Sequence, residues 1–143
     1  MKKLYAFAIC VALFAPAVFA QESYTEGPVW HVSLIRVKPT YLDAYLASLR
    51  KNSKAIYEEE KSQGLILDYK IFLKETKHDP QDWDVCVAVE FKNHAALDGL
   101  SAKTDAIENK VLGGQANAQA LGTTRQEYRE VISEEFLQEV MLK

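Results

Sequence analysis

The chain reads as an α+β domain built on a split βαβ sheet, and three observations lead there. Residues 29–37 are largely β-branched and apolar; beyond Pro39 the apolar positions Leu42, Tyr45, Leu46, Leu49 and Ile56 fall on one helical face. A strand therefore feeds an amphipathic helix. Residues 65–74 (LILDYKIFLK) and 83–91 (WDVCVAVEF) alternate with period two on either side of the polar turn ETKHDPQD, which marks two more strands. A second helical region and one further element complete the order β-α-β-β-α-β.

The elements follow in turn. Residues 21–28 (QESYTEGP) are polar, end in Gly-Pro and read as a flexible leader to a single domain over 29–143. The first helix spans about 40–62, with Thr40 and Asp43 as its start signal and Gly64 as its stop. Tyr45 belongs to its core face, Tyr41 and Tyr57 read as surface or interface groups, and Glu58-Glu59-Glu60 reads as a solvated face. Asn93 offers an N-cap to the second helical region, which Gly113-Gly114 interrupts before a further helix at about 115–127. The last segment, 130–142, is ambiguous. Ile132, Phe136 and Val140 recur every four residues, as in a helix, whereas the element order asks for a fourth strand.

Residues 1–20 have the three parts of a secretory signal peptide. Lys2 and Lys3 precede an apolar run from Leu4 to Phe14, and Val18-Phe19-Ala20 supplies a cleavage site. The run is too short for a membrane span of about 20 residues, so the expected address is periplasmic or secreted. Cleavage takes Lys2 and Lys3 and leaves 15 basic against 20 acidic residues, a net charge of −5. With no basic tract, nucleic acid and anionic membrane surfaces are not the expected partners. Of two cysteines only Cys86 remains, so no internal disulfide forms.

Three segments carry a family resemblance: VWHVSLIRVKPTYLDAYL, VAVEFKNHAALDGL and YREVISEEFLQEV. Together they resemble the dimeric α/β-barrel superfamily of ferredoxin-like domains, which includes antibiotic-biosynthesis-type monooxygenases, heme-degrading monooxygenases and muconolactone isomerases. The resemblance implies a homodimer in which helices cover one sheet face and the other faces of two subunits enclose a cavity. Heme-degrading members use an asparagine on the first strand, a tryptophan at the end of the third and a histidine on the second helix. Here Ser33 and Phe91 stand near the first two places and no histidine follows His94. No heme, other cofactor or metal is therefore expected; His31, His78 and His94 also lack metal-ligand spacing.

Alternation assigns the lining of that cavity. On the second strand Asp68, Lys70 and Phe72 face it. On the third, Asp84, Cys86, Ala88 and Glu90 do. On the first, Trp30, Val32 and Leu34 form the more apolar face and are given to the helices, leaving His31, Ser33, Ile35 and Val37 for the cavity. His31 is the candidate acid/base, since imidazole exchanges protons near neutral pH. Asp68 or Glu90 would orient it, or else pair with Lys70. Ser33, Lys70, Phe72 and Cys86 would line the ligand site. A Ser33–His31–Asp68 triad is not expected, because same-face neighbours on a strand stand roughly 6.5–7 Å apart with parallel side chains.

The expected function is an exported protein that binds a small apolar or aromatic molecule. The alternatives are a cofactor-independent monooxygenase or isomerase acting on an aromatic or quinone-like substrate, and a structural dimer whose barrel is filled by side chains. N-terminal sequencing of the native protein should return Gln21; recovery of Met1 from the cytosol would refute the export signal.

Overall fold

The computed structural model describes residues 23–143; the segment expected to be a signal peptide, with its expected cleavage site, lies outside the described residues. Strand β1 spans Tyr24–Val37. One helical rod follows, made of α1 (Leu42–Ser48), a π-helical stretch (Leu49–Ser53) and α2 (Lys54–Ser62). Strands β2 (Asp68–Leu73) and β3 (Val85–Phe91) form a hairpin. A 3-10 turn (His94–Leu97) leads into α3 (Leu100–Leu112), α4 (Gln115–Tyr128) and strand β4 (Arg129–Leu142). The sheet order is β2-β3-β1-β4 and every neighbouring pair is antiparallel. This is the α+β ferredoxin-like fold. No helix among the described residues is long and apolar enough to cross a membrane.

The ambiguous C-terminal segment is a strand. Its four-residue period is outweighed by the open edge of β1, whose backbone groups need partners. β4 supplies them along the whole strand, from Val37↔Arg129 to Tyr24↔Leu142, with irregularities between Glu26 and Val29 and between Leu34 and Ile35. The same pairing removes most of the expected leader: residues 24–28 belong to β1. Pro28 cannot donate to the ladder, and the Gln138 side chain caps this break by donating to the Gly27 carbonyl at 2.7 Å. β4 is itself an edge, and its charged residues mark it as one. Glu130 pairs with Arg36 at 3.1 Å, and Glu139 accepts from the Trp30 indole at 3.0 Å.

Several boundaries follow from particular groups. Thr40 does not cap the first helix; it holds φ +73° in a turn closed by Tyr41 N–H donating to the Lys38 carbonyl at 3.1 Å, and Tyr41 takes the cap position without a side-chain bond. Gly64 ends the rod at φ +70°, a conformation glycine adopts without a Cβ penalty. Asn93 caps as expected, accepting from Ala96 N–H at 3.1 Å. β3 begins at Val85 because Asp84 is spent on the ladder's end: its carboxylate accepts from Val37 N–H and its own N–H donates to the Ile35 carbonyl, both at 2.8 Å.

The helices cover the face carrying Val29, Ile35, Val37, Val85, Val87, Val89 and Phe91, which pack with Tyr45, Leu49 and Ile66. Residues directly opposite in an antiparallel pair share a face. The register Val29↔Phe91, His31↔Val89, Ser33↔Val87 and Ile35↔Val85 therefore puts His31 and Ser33 on the helix side. The expected assignment of β1 is inverted: Trp30, Val32 and Leu34 lie on the outer face, with Phe72, Cys86, Ala88 and Leu137 on neighbouring strands. The second and third strands face as expected. Replacing Ile35, 1% exposed, with Ala should lower the unfolding free energy by about 2–5 kcal/mol in a urea titration.

Candidate functional site

A cavity of about 200 Å³ lies between the helix face of the sheet and the helices. Val87 and Val89 form its apolar floor, and His31 and Ser33 rise beside them from β1. His31 is stacked on Phe136 of β4, ring centroids 4.8 Å apart, which limits its rotation. The exposed Glu134, opposite Ser33 in the register, is the carboxylate at this rim.

The roof comes from the helical rod. Lys54 N–H donates to the Leu49 carbonyl, five residues back, and this π-turn alters the helical phase between α1 and α2. As a result Tyr45 and Leu49 from one side of the turn, and Ser53 and Tyr57 from the other, all reach the cavity. Ser53 is buried and accepts from Arg125 Nη2 at 2.8 Å.

Two arginines close the back. Arg125 comes from the last turn of α4 and Arg129 from the start of β4, so both stand where the helix's carbonyl end favours cations. Arg129 lies over the Tyr45 ring, 5.4 Å from its centroid. Arg125 Nε is buried and has no hydrogen-bond partner among the described residues. Burial raises the Tyr45 phenol above its ordinary pKa, and Arg129 and Arg125 pull it back down. Tyr57 is pushed up to about 12, chiefly by burial, so both phenols are neutral donors at physiological pH. The chamber thus presents two guanidinium groups, two phenols, two hydroxyls and one imidazole above an apolar floor, with the Glu134 carboxylate at its rim.

Two further cavities adjoin it, and all three share Ser53 and Tyr57 in their walls. One, about 230 Å³, is a largely apolar groove along Leu46, Tyr69 and Ile71. The other, about 190 Å³, lies among α2, α3 and α4 and holds Glu60, Glu108 and Thr104. Glu60 was expected on a solvated face but is buried, because it follows Ile56 by one helical turn on the packed side.

Of the residues singled out from sequence, the structure brings together His31 and Ser33. The others lie across the sheet, since adjacent positions on paired strands point to opposite sides. Asp68 is 2.8 Å from Lys61, which holds its carboxyl below the usual range. Lys70 sits over the Trp30 ring at 4.9 Å and Phe72 is 49% exposed. Cys86 is buried, which pushes its thiol up, and Glu90 pairs in register with Trp30 and Asp68. None of these five can share a chamber with His31 within one subunit. His78 and His94 are exposed, and no group of three His, Cys, Asp or Glu side chains gathers among the described residues.

Arg125, Arg129, Tyr57 and Ser53 were missed. A signal exists in TTRQEYRE, where the two arginines stand four apart across the expected helix end. The π-turn that aims Ser53 leaves no mark in the hydrophobic pattern.

The sequence matches no family model and no curated protein. Solved structures do match in fold. HapK from Hahella chejuensis aligns at a TM-score of 0.52 with 12% identity, over 78% of this chain and 91% of that one. A NIPSNAP-family protein of unknown function from Agrobacterium tumefaciens gives 0.53 with 14% identity, over 82% and 90%. A protein from Shewanella oneidensis gives 0.53 with 14% identity, over 82% and 96%. These likenesses establish a shared ferredoxin-like architecture, the fold of the superfamily that the sequence resembles.

Glu60 links this region to pH. Burial, and then the charge of Glu108, push its carboxyl from 4.5 up to about 7; Arg125 and Tyr57 face the same chamber. Because the folded state holds this proton more tightly than the unfolded chain, stability should fall as pH rises from about 4.5 towards 7. The slope attributable to Glu60 is at most about 1.4 kcal/mol per pH unit. Thermal unfolding across that range should show the slope, and Glu60→Gln should flatten it.

Proposed function

We propose that the protein, after export, binds a small, partly aromatic anion in the chamber between its sheet and helices. One observation carries this reading: Arg125 and Arg129 converge on a partly enclosed space whose other walls are neutral donors and apolar side chains, with a single carboxylate, the exposed Glu134, at the rim. Two cations placed together out of bulk water repel each other and lose hydration, so an incoming carboxylate, phenolate or enolate relieves both. The buried, unpartnered Arg125 Nε is where such an oxygen would dock. The adjoining groove of Leu46, Tyr69 and Ile71 suits an aromatic body.

His31 favours a second reading, in which the same chamber is catalytic. A cofactor-independent oxygenase or isomerase acting on an aromatic or quinone-like substrate needs a proton acceptor beside cations that stabilise the resulting oxyanion. His31 and the two arginines line one chamber and would supply both.

The outer sheet face supports a homodimer. Trp30, Val32 and Leu34 on β1 lie between Phe72 and Leu137, which are 49% and 47% exposed. An apolar surface of this kind favours a partner, and a second copy presents the same face. Sedimentation should give a dimer at micromolar concentration, and Phe72→Lys should shift it towards monomer.

Calorimetric titration with 3-phenylpropionate tests the anion site. Arg125→Met and Arg129→Met should each weaken binding at least about tenfold, or about 1.4 kcal/mol. His78→Ala, in an exposed loop, should leave it unchanged. Wild-type affinity in both arginine variants would remove the chamber as the binding site.

A further inference from the structure

The acidic chamber carries a feature that anion binding leaves unused. Glu60 is 5% exposed, yet its carboxylate has no hydrogen-bond or ion-pair partner among the described residues. It opens onto a cavity of about 190 Å³ with Glu108 and Thr104 on α3 as neighbours. The cations nearby do not pair with it. Lys110, on the same helix, is 2.7 Å from Glu59, and Arg125 gives Nη2 to Ser53. An ionised carboxylate buried without a counter-charge is costly, and a second carboxylate facing it adds repulsion. Such a chamber accepts positive charge from outside, either as a proton or as a cationic group. Thr104 Oγ1 donates to the Ser101 carbonyl at 3.0 Å and so keeps its lone pairs for an incoming donor.

The character of the cation follows from the walls. Hard metal ions require six or more oxygen ligands, and a guanidinium in the same wall works against a dication. A primary ammonium carries one charge and three hydrogens, which two carboxylates and one hydroxyl can accept. The acidic chamber shares Ser53 and Tyr57 as walls with the arginine chamber and the apolar groove. Arg125 also lines both the acidic and the arginine chamber.

We infer that the ligand is a zwitterion of the aromatic amino-acid class. Its carboxylate lies on Arg125 and Arg129, its ammonium between Glu60 and Glu108, and its ring along Leu46, Tyr69 and Ile71. This rests on the anion site proposed above and adds the second charge.

The test compares two probes on the purified mature protein by titration calorimetry, L-phenylalanine and 3-phenylpropionate, which differ only in the amino group. L-phenylalanine should bind at least tenfold more tightly. Glu60→Gln should erase that advantage while leaving 3-phenylpropionate affinity as it was; Glu108→Gln should do the same in part. Thermal unfolding of each variant checks that it is folded, and the two variants back each other. Equal affinity for both probes in the wild type, or equal weakening of both by Glu60→Gln, would overturn the zwitterion and leave the anion site standing. Failure of both probes to bind would overturn the two together.

Discussion

The antiparallel seating of β1 between β3 and β4 is the constraint on which the rest depends. β1 is one of two inner strands with partners along both edges, and its alternation decides what each side of the sheet can be. Val29, Ile35 and Val37 anchor the helix layer; His31 and Ser33, between them in sequence, are carried to the same side. A slip by one residue would send the imidazole and hydroxyl outward and bring Trp30, Val32 and Leu34 under the helices. The chamber and the outer apolar face are thus two results of one register.

Most of the fold could be read from the chain because local signals agreed with it. The strand alternation at 65–74 and 83–91, the Asn93 cap, the Gly64 stop and the Gly113-Gly114 break all describe local physics, and the structure places helix ends or strands near each of them. Thr40 failed as a cap because a tight backbone turn took over its position. The face of β1 could not be read the same way. Hydrophobicity records that a side chain avoids water, not which surface shields it. Trp30, Val32 and Leu34 look like core because they form the apolar centre of an outer face that also carries Asp68, Lys70 and Glu90. His31 and Ser33 look like the exposed side because they line a polar chamber within the core layer. The final segment carried both signals, and the element order was the better guide, the four-residue period being weaker than the hydrogen bonds that an open strand edge demands.

The candidate site was harder still, because its chemistry is assembled from distant pieces. His31, Tyr45, Ser53, Tyr57, Arg125 and Arg129 come from the first strand, the helical rod, the last helix and the last strand. No spacing rule links them. The helix layer gathers them by packing on Val87 and Val89, so the pieces that recognise a ligand rest on the residues that stabilise the domain. Glu60 shows the same coupling from the other side: a charged group in a packed position, held there by the helix turn it shares with Ile56.

The π-turn at Leu49–Ser53 gives the rod one residue more than an uninterrupted α-helix would use there. Each residue of an α-helix turns the chain by about 100°. Losing one residue from this stretch would let the rod relax into regular helix and swing α1 around its axis relative to α2. Tyr45 would leave the chamber while Ser53 and Tyr57 stayed. The walls of the cavity are therefore tunable by the length of the chain as well as by its side chains. A single-codon deletion in this turn offers descendants of this sequence a route to a differently shaped pocket on an unchanged sheet.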